Sequence, residues 1–399
     1  ELGIPTVIAL NMMDVIEKRG DIIDIDNLSK ILGCPVVKTS ALKGNGTKEV
    51  AMKAIQIAKN SKSNNFNMNF SKEVKDALDD IKSLIKSNNI NYLGITEQWI
   101  AIKIFERDSD FINKITLDNN VKEKIESNGN PLSNWDIAIN YGIKTGYNDA
   151  FIINENIRDM LIASDPNSAE LIRPILRGKD IKRYSYEFAN LWLIFIPCGF
   201  TNSKSKNQSQ EEWFKNTYPA IYRHLIDTEM ELSKNRNSKS KGLYKRDDQG
   251  DYWWELRSCK YSEDFSSQKL MYSEIVQEPH FYLDAGHFFP EATSFIISGS
   301  NLECLLFLLN SNITFALFKL FYAGGGLGDH GIRYKKAFLN DLRLPAINDE
   351  NIVYFKDMYN NLNQSNMIVN KDIQKELDLY IGRLYGLSEE EINYLIQDL

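Results

Sequence analysis

Cysteine is sparse and never paired in this sequence. Cys34, Cys198, Cys259 and Cys304 are its four cysteines, and none stands at C-x-x-C spacing. That spacing excludes a zinc-ribbon or disulfide framework, and four isolated thiols fit a reducing compartment. Histidine is also scarce: His224, His280, His287 and His330 are all there is. His280 and His287 flank Asp284, but "EPHFYLDAGHFFPEATSFIIS" reads as strand-turn-strand, so no metal is expected. A charged-then-apolar leader is missing from the start, and the expected location is the cytoplasm. The first residue is Glu1, which suggests an interior fragment or a processed product. No long apolar run is free of polar residues. In "LECLLFLLNSNITFALFKLFY", residues 302 to 322, Glu303, the triplet Asn310-Ser311-Asn312 and Lys319 interrupt the stretch. Such groups are costly in hydrocarbon, so two packed helices, or a helix and a turn, are expected rather than a membrane span. An overall positive charge is lacking too. The net charge is −7, which excludes a uniformly basic coat but leaves room for local basic patches.

What the chain does have is enough apolar residue, 43%, to build sizeable cores, and a length that suits two or three domains. The opening reads as strand, helix, strand, helix. "IPTVIAL" and "CPVVKTSA" are short β-branched runs, "LSKILG" is a helix end stopped by Gly33, and "GNGTKEVAMKAIQIAKN" turns into an amphipathic helix. That order fits the edge of a parallel α/β sheet. Further on, Val74, Leu78, Ile81 and Leu84 recur at helical spacing, which predicts a connector helix with a solvated face.

"ALNMMD" (residues 9 to 14), "TSA" (Thr39 to Ala41) and "EQWIAIKIFERD" (residues 97 to 108) together resemble the end of the G domain and the following helical segment of the ferrous-iron transporter FeoB family. The resemblance implies a guanine-specificity role for Asn11 and Asp14, with Ser40 and Ala41 in the loop that covers the base. No GxxxxGK[ST] occurs in the chain, and no DxxG precedes Asn11. Phosphoryl transfer rests on phosphate and metal positioning, so GTP hydrolysis is not expected and the guanine site is read as vestigial.

After about residue 118 the texture changes. "NPLSNWDIAINYGIKTGYNDAFIIN" predicts a half-buried strand, a Gly142/Gly146 turn exposing Lys144, Thr145, Tyr147 and Asn148, and a second strand at "AFIIN". "IRPILRGKDIKRY" sets Arg173, Arg177, Lys179, Lys182 and Arg183 against the single Asp180. "SKNRNSKSKGLYKR" is a cationic loop that includes Lys239, Lys241, Lys245 and Arg246. Cations that cluster with aromatics suit phosphate contacts, and that reading is preferred over the alternative of a solvated face because Pro174 and Gly178 interrupt any long helix. In "DYWWELRSCKY" at most one of Trp253 and Trp254 is expected in a core, because adjacent strand residues face opposite sides. Trp254 and Arg257 are candidates for base stacking or base-edge contact. A turn with five glycines in residues 324 to 331 precedes "IRYKK", which supplies Arg333, Lys335 and Lys336. No ribose-binding acid follows that turn, so a dinucleotide or S-adenosylmethionine loop is not expected. Ser388 and Glu391 form a capping-box pattern in a helical C-terminal stretch.

Those segments, with "YWWELRSCKYSEDFSSQKLMYSEI", "LLFLLNSNITFALFKLF" and "IRYKKAFLNDLRLP", occur in an order that resembles the TaqI-like target-recognition (specificity) domain of type IIG restriction-modification enzymes and adenine-specific DNA methyltransferases. The resemblance covers residues 119 to 399. It implies a domain that reads a short duplex sequence while a separate domain modifies or cuts the DNA. The chain carries no NPPY-type motif and no PD…ExK site. S-adenosylmethionine and Mg2+ are therefore expected only for such other domains, and no cofactor is expected here. The expected fold is mixed α+β: a truncated α/β piece at 1–60, a helical segment at 61–118, and an α+β recognition domain at 119–347 with helical support at 348–399. Expected phosphate contacts are Lys144, Arg173, Arg177, Lys179, Lys182, Arg183, Lys239, Lys241, Lys245, Arg246, Lys335 and Lys336. Expected base or groove contacts are Thr145, Tyr147, Asn148, Trp254, Arg257 and Arg333. The expected partners are double-stranded DNA and a methyltransferase or endonuclease subunit. The alternatives are a remnant of a GTP-binding iron-transport protein, or an inert fusion of the two.

Overall fold

The computed structural model describes residues 5–60, 70–87, 95–205, 209–234, 241–323, 331–365 and 367–397. The chain divides into two compact units, Glu1–Asn120 and Val121–Leu399. In the first unit β1 (Ile8–Leu10) and β2 (Val36–Lys38) pair in parallel, with Ile8 opposite Val36. α1 (Met13–Arg19) and α2 (Ile25–Leu32) lie between them in sequence, as a parallel pair requires. Asp24 caps α2 by accepting from Asn27 N–H, and Gly33 ends it at φ 62°, a left-handed conformation that suits glycine. β1 is shorter than the apolar run around it, and β2 is its one ladder partner among the described residues. α2 buries no residue, and Met52 and Ile55 of α3 (Thr47–Asn60) are exposed, so this α/β piece leaves apolar surface uncovered.

The helical part packs Leu78 and Ile85 of α4 (Lys72–Ser87) against Ile100 and Ala101 of α5 (Glu97–Phe105) and Ile115 of α6 (Ser109–Asn128). The expected stripe is corrected at one position. Leu84 is exposed and Ile85 is buried, because Ile85, and not Leu84, completes whole helical turns from Leu78.

In the second unit β3 (Gly129–Pro131) pairs with β14 (Arg343–Pro345). β4 (Ile137–Tyr141), β8 (Lys269–Ser273), β10 (Phe281–Asp284) and β12 (Ser294–Gly299) form an antiparallel sheet in the order β10-β8-β12-β4. A second sheet runs β11-β6-β7-β5, from β5 (Ile152–Asn154), β6 (Ile172–Leu176), β7 (Leu191–Ile194) and β11 (Phe289–Pro290). β9 (Ile275–Val276) pairs with β13 (Ile332–Arg333). The "AFIIN" strand begins late: α7 (Asn148–Phe151) is a helical turn that tucks Phe151 into the core, and β5 follows it.

Alternation along β8 and β12 makes the first sheet a wall between two cores. Leu270, Tyr272, Phe295 and Ile297 face one core, and Met271 and Ile296 face the other. The second core takes α8 (Glu155–Ser164), α9 (Phe200–Lys204), α10 (Gln210–Thr217) and α11 (Pro219–Ser233). The first takes α12 (Leu302–Asn310), α13 (Asn312–Leu317), α14 (Lys336–Asp341), α15 (Asp349–Gln364), α16 (Lys371–Leu384) and α17 (Glu389–Ile396).

No single described helix is long and apolar enough to cross a membrane, and the α12–α13 pair, bent by 65°, is buried in this core. The polar triplet makes the bend. Ser311 caps α13 by accepting from Thr314 N–H, while the Asn310 amide accepts from Phe281 N–H and donates to Phe281 C=O on β10. At α17 the expected capping box forms, and Lys124 donates to Glu391 at 2.7 Å.

Candidate nucleic-acid interface

Glycines mark where distant segments of the second unit meet. After β4 the chain turns at Gly142, where a Cβ would lie 2.0 Å from Glu291 C=O, so no larger residue fits there. Gly142 N–H donates to Ser294 C=O and Ile143 N–H to Pro290 C=O, which holds the Lys144 turn against residues 290–294. On the other side of that loop Gly178 N–H donates to Thr293 Oγ1 at 2.9 Å, and a Cβ at Gly178 would meet Thr293 C=O and Ser273 Oγ. Ser273 leads into β9, whose partner strand carries Arg333 opposite Ile275. The Lys144 and Lys179 turns therefore both pack on the 290–294 segment, and the β9–β13 pair that carries Arg333 follows Ser273 beside Gly178. A groove of about 260 Å³ lies between Gly178–Lys179 and the 273–280 segment, lined also by Gln277, Glu278 and His280. The 246–257 loop adjoins the Lys144 turn, because Gly146 packs on Arg246 and Asp248.

The structure redirects several expected contact residues. Arg246 is 3% exposed. Its guanidinium donates to the carbonyls of Thr145, Leu243, Trp253 and Glu255 and sits over the Phe151 ring. Burial pushes its pKa down to about 10. It ties two loops together and has no face left for a phosphate. Trp254 is the core member of the Trp pair, not a base platform. It is stacked between Phe214 and Tyr252, with its indole N–H on Thr201 Oγ1 at 2.9 Å. Thr145 is buried, and its hydroxyl bonds to Asn148 Oδ1.

Arg183 donates to Asn310 C=O and Asn312 Oδ1, bracing the α12–α13 bend. Arg173 turns to the carbonyls of Ala169 and Ile172, and Lys336 to Ile139 C=O. Arg177 makes a two-pronged bond to Asp180, at 2.8 Å on each oxygen. Asp180 is buried, which pushes its pKa up, but the bonds from Arg177 outweigh this and hold it below the usual carboxylate range. Sequence proximity alone could not separate these cations, because the partner is three residues away in one case and over a hundred away in others.

The cationic excess is smaller than the sequence count implies. Five of the candidate cations have a carboxylate within 4 Å: Arg177 with Asp180, Lys182 with Glu187, Lys241 with Asp247, Arg257 with Asp248, and Arg333 with Glu274. Lys144, Lys179, Lys245 and Lys335 are exposed with no ion pair among the described residues. Asn148 is exposed and Tyr147 half-buried at the same turn. Lys239 and most of the glycine turn lie outside the described residues.

Glu291 and Thr293, which the sequence reading missed, form the hub of this region, and the tight turn at Gly142 was the available signal. His280 and His287 flank β10 as strand-turn-strand, with Asp284 paired to buried Lys269 at 2.6 Å. Cys198, Asp251 and Glu255 bring ligand-type atoms within 4.8 Å of one another, yet the Glu255 oxygens already accept from the backbone N–H groups of Gly199, Thr201 and Asp251.

In the first unit the four candidate residues do come together. Asn11 Oδ1 accepts from Ala41 N–H at 3.0 Å, which fixes the "TSA" loop, and Lys43 donates to Asp14 at 2.8 Å. The Lys43 bond, then one from Ser40, lowers the Asp14 pKa.

Comparison with known proteins divides the chain in the same sense. Residues 1–54 match the family model "Ferrous iron transport protein B" and residues 70–133 the "FeoB cytosolic helical domain". Residues 173–335 match the "TaqI-like C-terminal specificity domain". The chain is 25% identical over 258 residues to the Type II methyltransferase M.MjaIV of Methanocaldococcus jannaschii, covering 62% of this chain and 78% of that protein. It is 32% identical over 112 residues to the Fe(2+) transport protein A/Fe(2+) transporter FeoB fusion protein of Porphyromonas gingivalis, covering 28% of this chain. It is 32% identical over 108 residues to the Fe(2+) transporter FeoB of Escherichia coli, covering 27% of this chain. It spans 13% of the length of each of these two proteins.

Among solved structures, S. thermophilus NFeoB bound to GDP.AlF4- is 35% identical with a TM-score of 0.25, covering 29% of this chain and 42% of that one. The Type IIL restriction-modification enzyme MmeI in complex with DNA is 13% identical with a TM-score of 0.43, covering 67% of this chain and 35% of that one. Both resemblances read from the sequence hold. The FeoB helical match runs to residue 133, past the residue 118 expected for its end.

Proposed function

We propose that residues 121–399 recognise a short sequence of double-stranded DNA as the specificity part of a type II restriction-modification or adenine-specific methyltransferase system. The methyl-transfer or cleavage steps belong to other domains or a partner subunit, and S-adenosylmethionine and Mg2+ would serve those. A cytoplasmic location follows from this role. The observation that carries the reading is the packing of the Lys144 and Lys179 turns on the 290–294 segment through Glu291 and Thr293, with the β9–β13 pair that carries Arg333 following Ser273 beside Gly178. It lies largely in the region that matches the specificity-domain model.

In this reading Lys144, Lys179, Lys245 and Lys335 meet phosphates, whose contacts position the protein without reading sequence. Tyr147, Asn148, Arg257 and Arg333 approach base edges, where arginine suits guanine and asparagine suits adenine. Arg257 and Arg333 exchange a carboxylate for a base, so their contribution is to specificity more than to affinity.

Fluorescence anisotropy with a randomised duplex pool, followed by selection of the bound fraction, tests the proposal. The expected result is enrichment of one short motif and a linear fall of log affinity with log salt. Absence of binding to any duplex at low salt would refute it.

A second reading rests on the bond from Ala41 N–H to Asn11 and the carboxylate of Asp14 beside it. The first unit would then hold a guanine base weakly, without the phosphate contacts that give nucleotides their affinity. Equal, weak binding of guanosine and GTP, with no dependence on magnesium, is the expected pattern. Tight magnesium-dependent GTP binding would instead make this unit a working nucleotide switch.

A further inference from the structure

We propose that a cavity between Arg183, Asn312 and α16 binds a small anion with an apolar body, of the medium-chain carboxylate or phosphate monoester class. The cavity holds about 500 Å³, within the range of small-molecule sites. Its wall is apolar: Met367, Ile368, Val369 and Ile396 line it, and Ile368 is 65% exposed, so an occupant would cover surface that now faces water. Its floor is polar and rigid. Asp378, 2% exposed, accepts from Asn312 N–H at 2.8 Å, from the Asn312 amide at 2.7 Å and from the Gln374 amide at 3.1 Å. Tyr184 O–H donates to Gln374 Oε1 at 3.0 Å. These bonds hold the floor in one arrangement, as a pre-formed site requires.

The lining carries three cations, Arg183, Lys371 and Lys375, against the single carboxylate of Asp378. Arg183 bonds to Asn310 and Asn312 through Nε and Nη2, and its guanidinium also lies against the Tyr184 side chain, which fixes this charge at the cavity lining. Lys371 and Lys375 are exposed, and neither forms an ion pair among the described residues. The backbone adds an independent sign. Met367 has φ 54°, a left-handed conformation unfavourable for a long side chain, and it stands at the cavity wall. Such strained positions cluster at ligand clamps. Inorganic phosphate alone would leave the apolar wall bare, and a neutral hydrocarbon would leave the cations unused. An anion with a tail satisfies both. The cavity is too small for a duplex, and this proposal stands apart from DNA recognition.

The test is calorimetric titration of the full chain with sodium octanoate and octyl phosphate, beside acetate, inorganic phosphate and 1-octanol. The expected result is saturable one-to-one binding of octanoate, octyl phosphate or both, with the three comparators at least tenfold weaker. The tighter of the two head groups identifies the class. Lys371→Glu/Lys375→Glu and, separately, Ile368→Asp change only exposed side chains. Each variant should keep the wild-type thermal midpoint and bind at least tenfold more weakly. Failure of both amphipathic anions to saturate, equal binding of 1-octanol, or wild-type affinity in the double lysine variant would overturn the proposal.

Discussion

Arg177 and Lys179 stand two residues apart in one basic run, yet the structure assigns them opposite consequences on replacement by Gln. Lys179 is exposed at the groove and has no ion pair among the described residues. If it meets a phosphate, its loss removes one released counterion. The slope of log affinity against log salt then falls by about 0.9, or roughly eightfold in affinity near 0.1 M salt. The thermal midpoint should stay put. Arg177 instead holds buried Asp180 through two 2.8 Å bonds, and its removal leaves that carboxylate with the backbone N–H of residue 177 alone.

Breaking a buried pair costs about 3–5 kcal/mol, and the partial exposure of the Arg177 side chain, 28%, reduces this to about 1–3 kcal/mol. At about 2–4 °C per kcal/mol the midpoint falls by roughly 2–12 °C. Arg177→Gln with Asp180→Asn should recover part of that loss, because no carboxylate is then left unpaired. Calorimetric melting and salt-titrated anisotropy on the same preparations separate the two effects. If Arg177→Gln lowers the salt slope by a full contact while the melt is unchanged, the assignment of Arg177 to Asp180 is wrong. A Lys179→Gln protein with the wild-type slope would remove Lys179 from the interface.

Trp254→Ala should cost about 3–5 kcal/mol, as for a large buried aromatic, because it empties the stack between Phe214 and Tyr252 and frees the Thr201 hydroxyl. Denaturant unfolding checks this, and a loss of DNA affinity without a loss of stability would restore Trp254 as a base platform. Gly142→Ala places a methyl 2.0 Å from Glu291 C=O and should destabilise by about 1–3 kcal/mol while weakening DNA binding through displacement of the Lys144 turn. Wild-type melting and affinity together would show that this close approach is absent. The Asp180 carboxyl is held below its ordinary value of 3.8 in the folded protein, so its contribution to stability is complete above that value. It fades as pH falls from there through the lower folded value. Asp180→Asn should therefore flatten the acid limb of the stability profile, and an unchanged limb would contradict the pairing.

Elements with a local cause could be read from the order of residues. The Gly33 stop of α2 and the capping box at Ser388 and Glu391 depend on neighbours a few positions apart, and both formed as expected. The strand-turn-strand reading around Asp284 and the bent pair of helices at residues 302 to 322 also needed only local pattern. Ile85, two whole turns from Leu78, was also legible from helical spacing, although the expected stripe ended on Leu84 instead. Two family resemblances and the mixed α+β class were likewise legible, because ordered motifs survive in sequence when contacts are invisible.

Electric charge is counted along a chain but neutralised in space. From the sequence, Arg177, Arg183 and Arg246 were interchangeable with Lys144 and Lys179 as cations in basic surroundings. Only the folded chain brings Asn310 to Arg183 and the Thr145 carbonyl to Arg246, across separations that no spacing rule reports. Local pattern and the order of motifs determined that the second unit would be a mixed α+β, aromatic-rich fold carrying local basic runs in an acidic chain. The tertiary structure decided which cations face solvent, because a guanidinium is satisfied by whatever carbonyl or carboxylate the fold delivers to it.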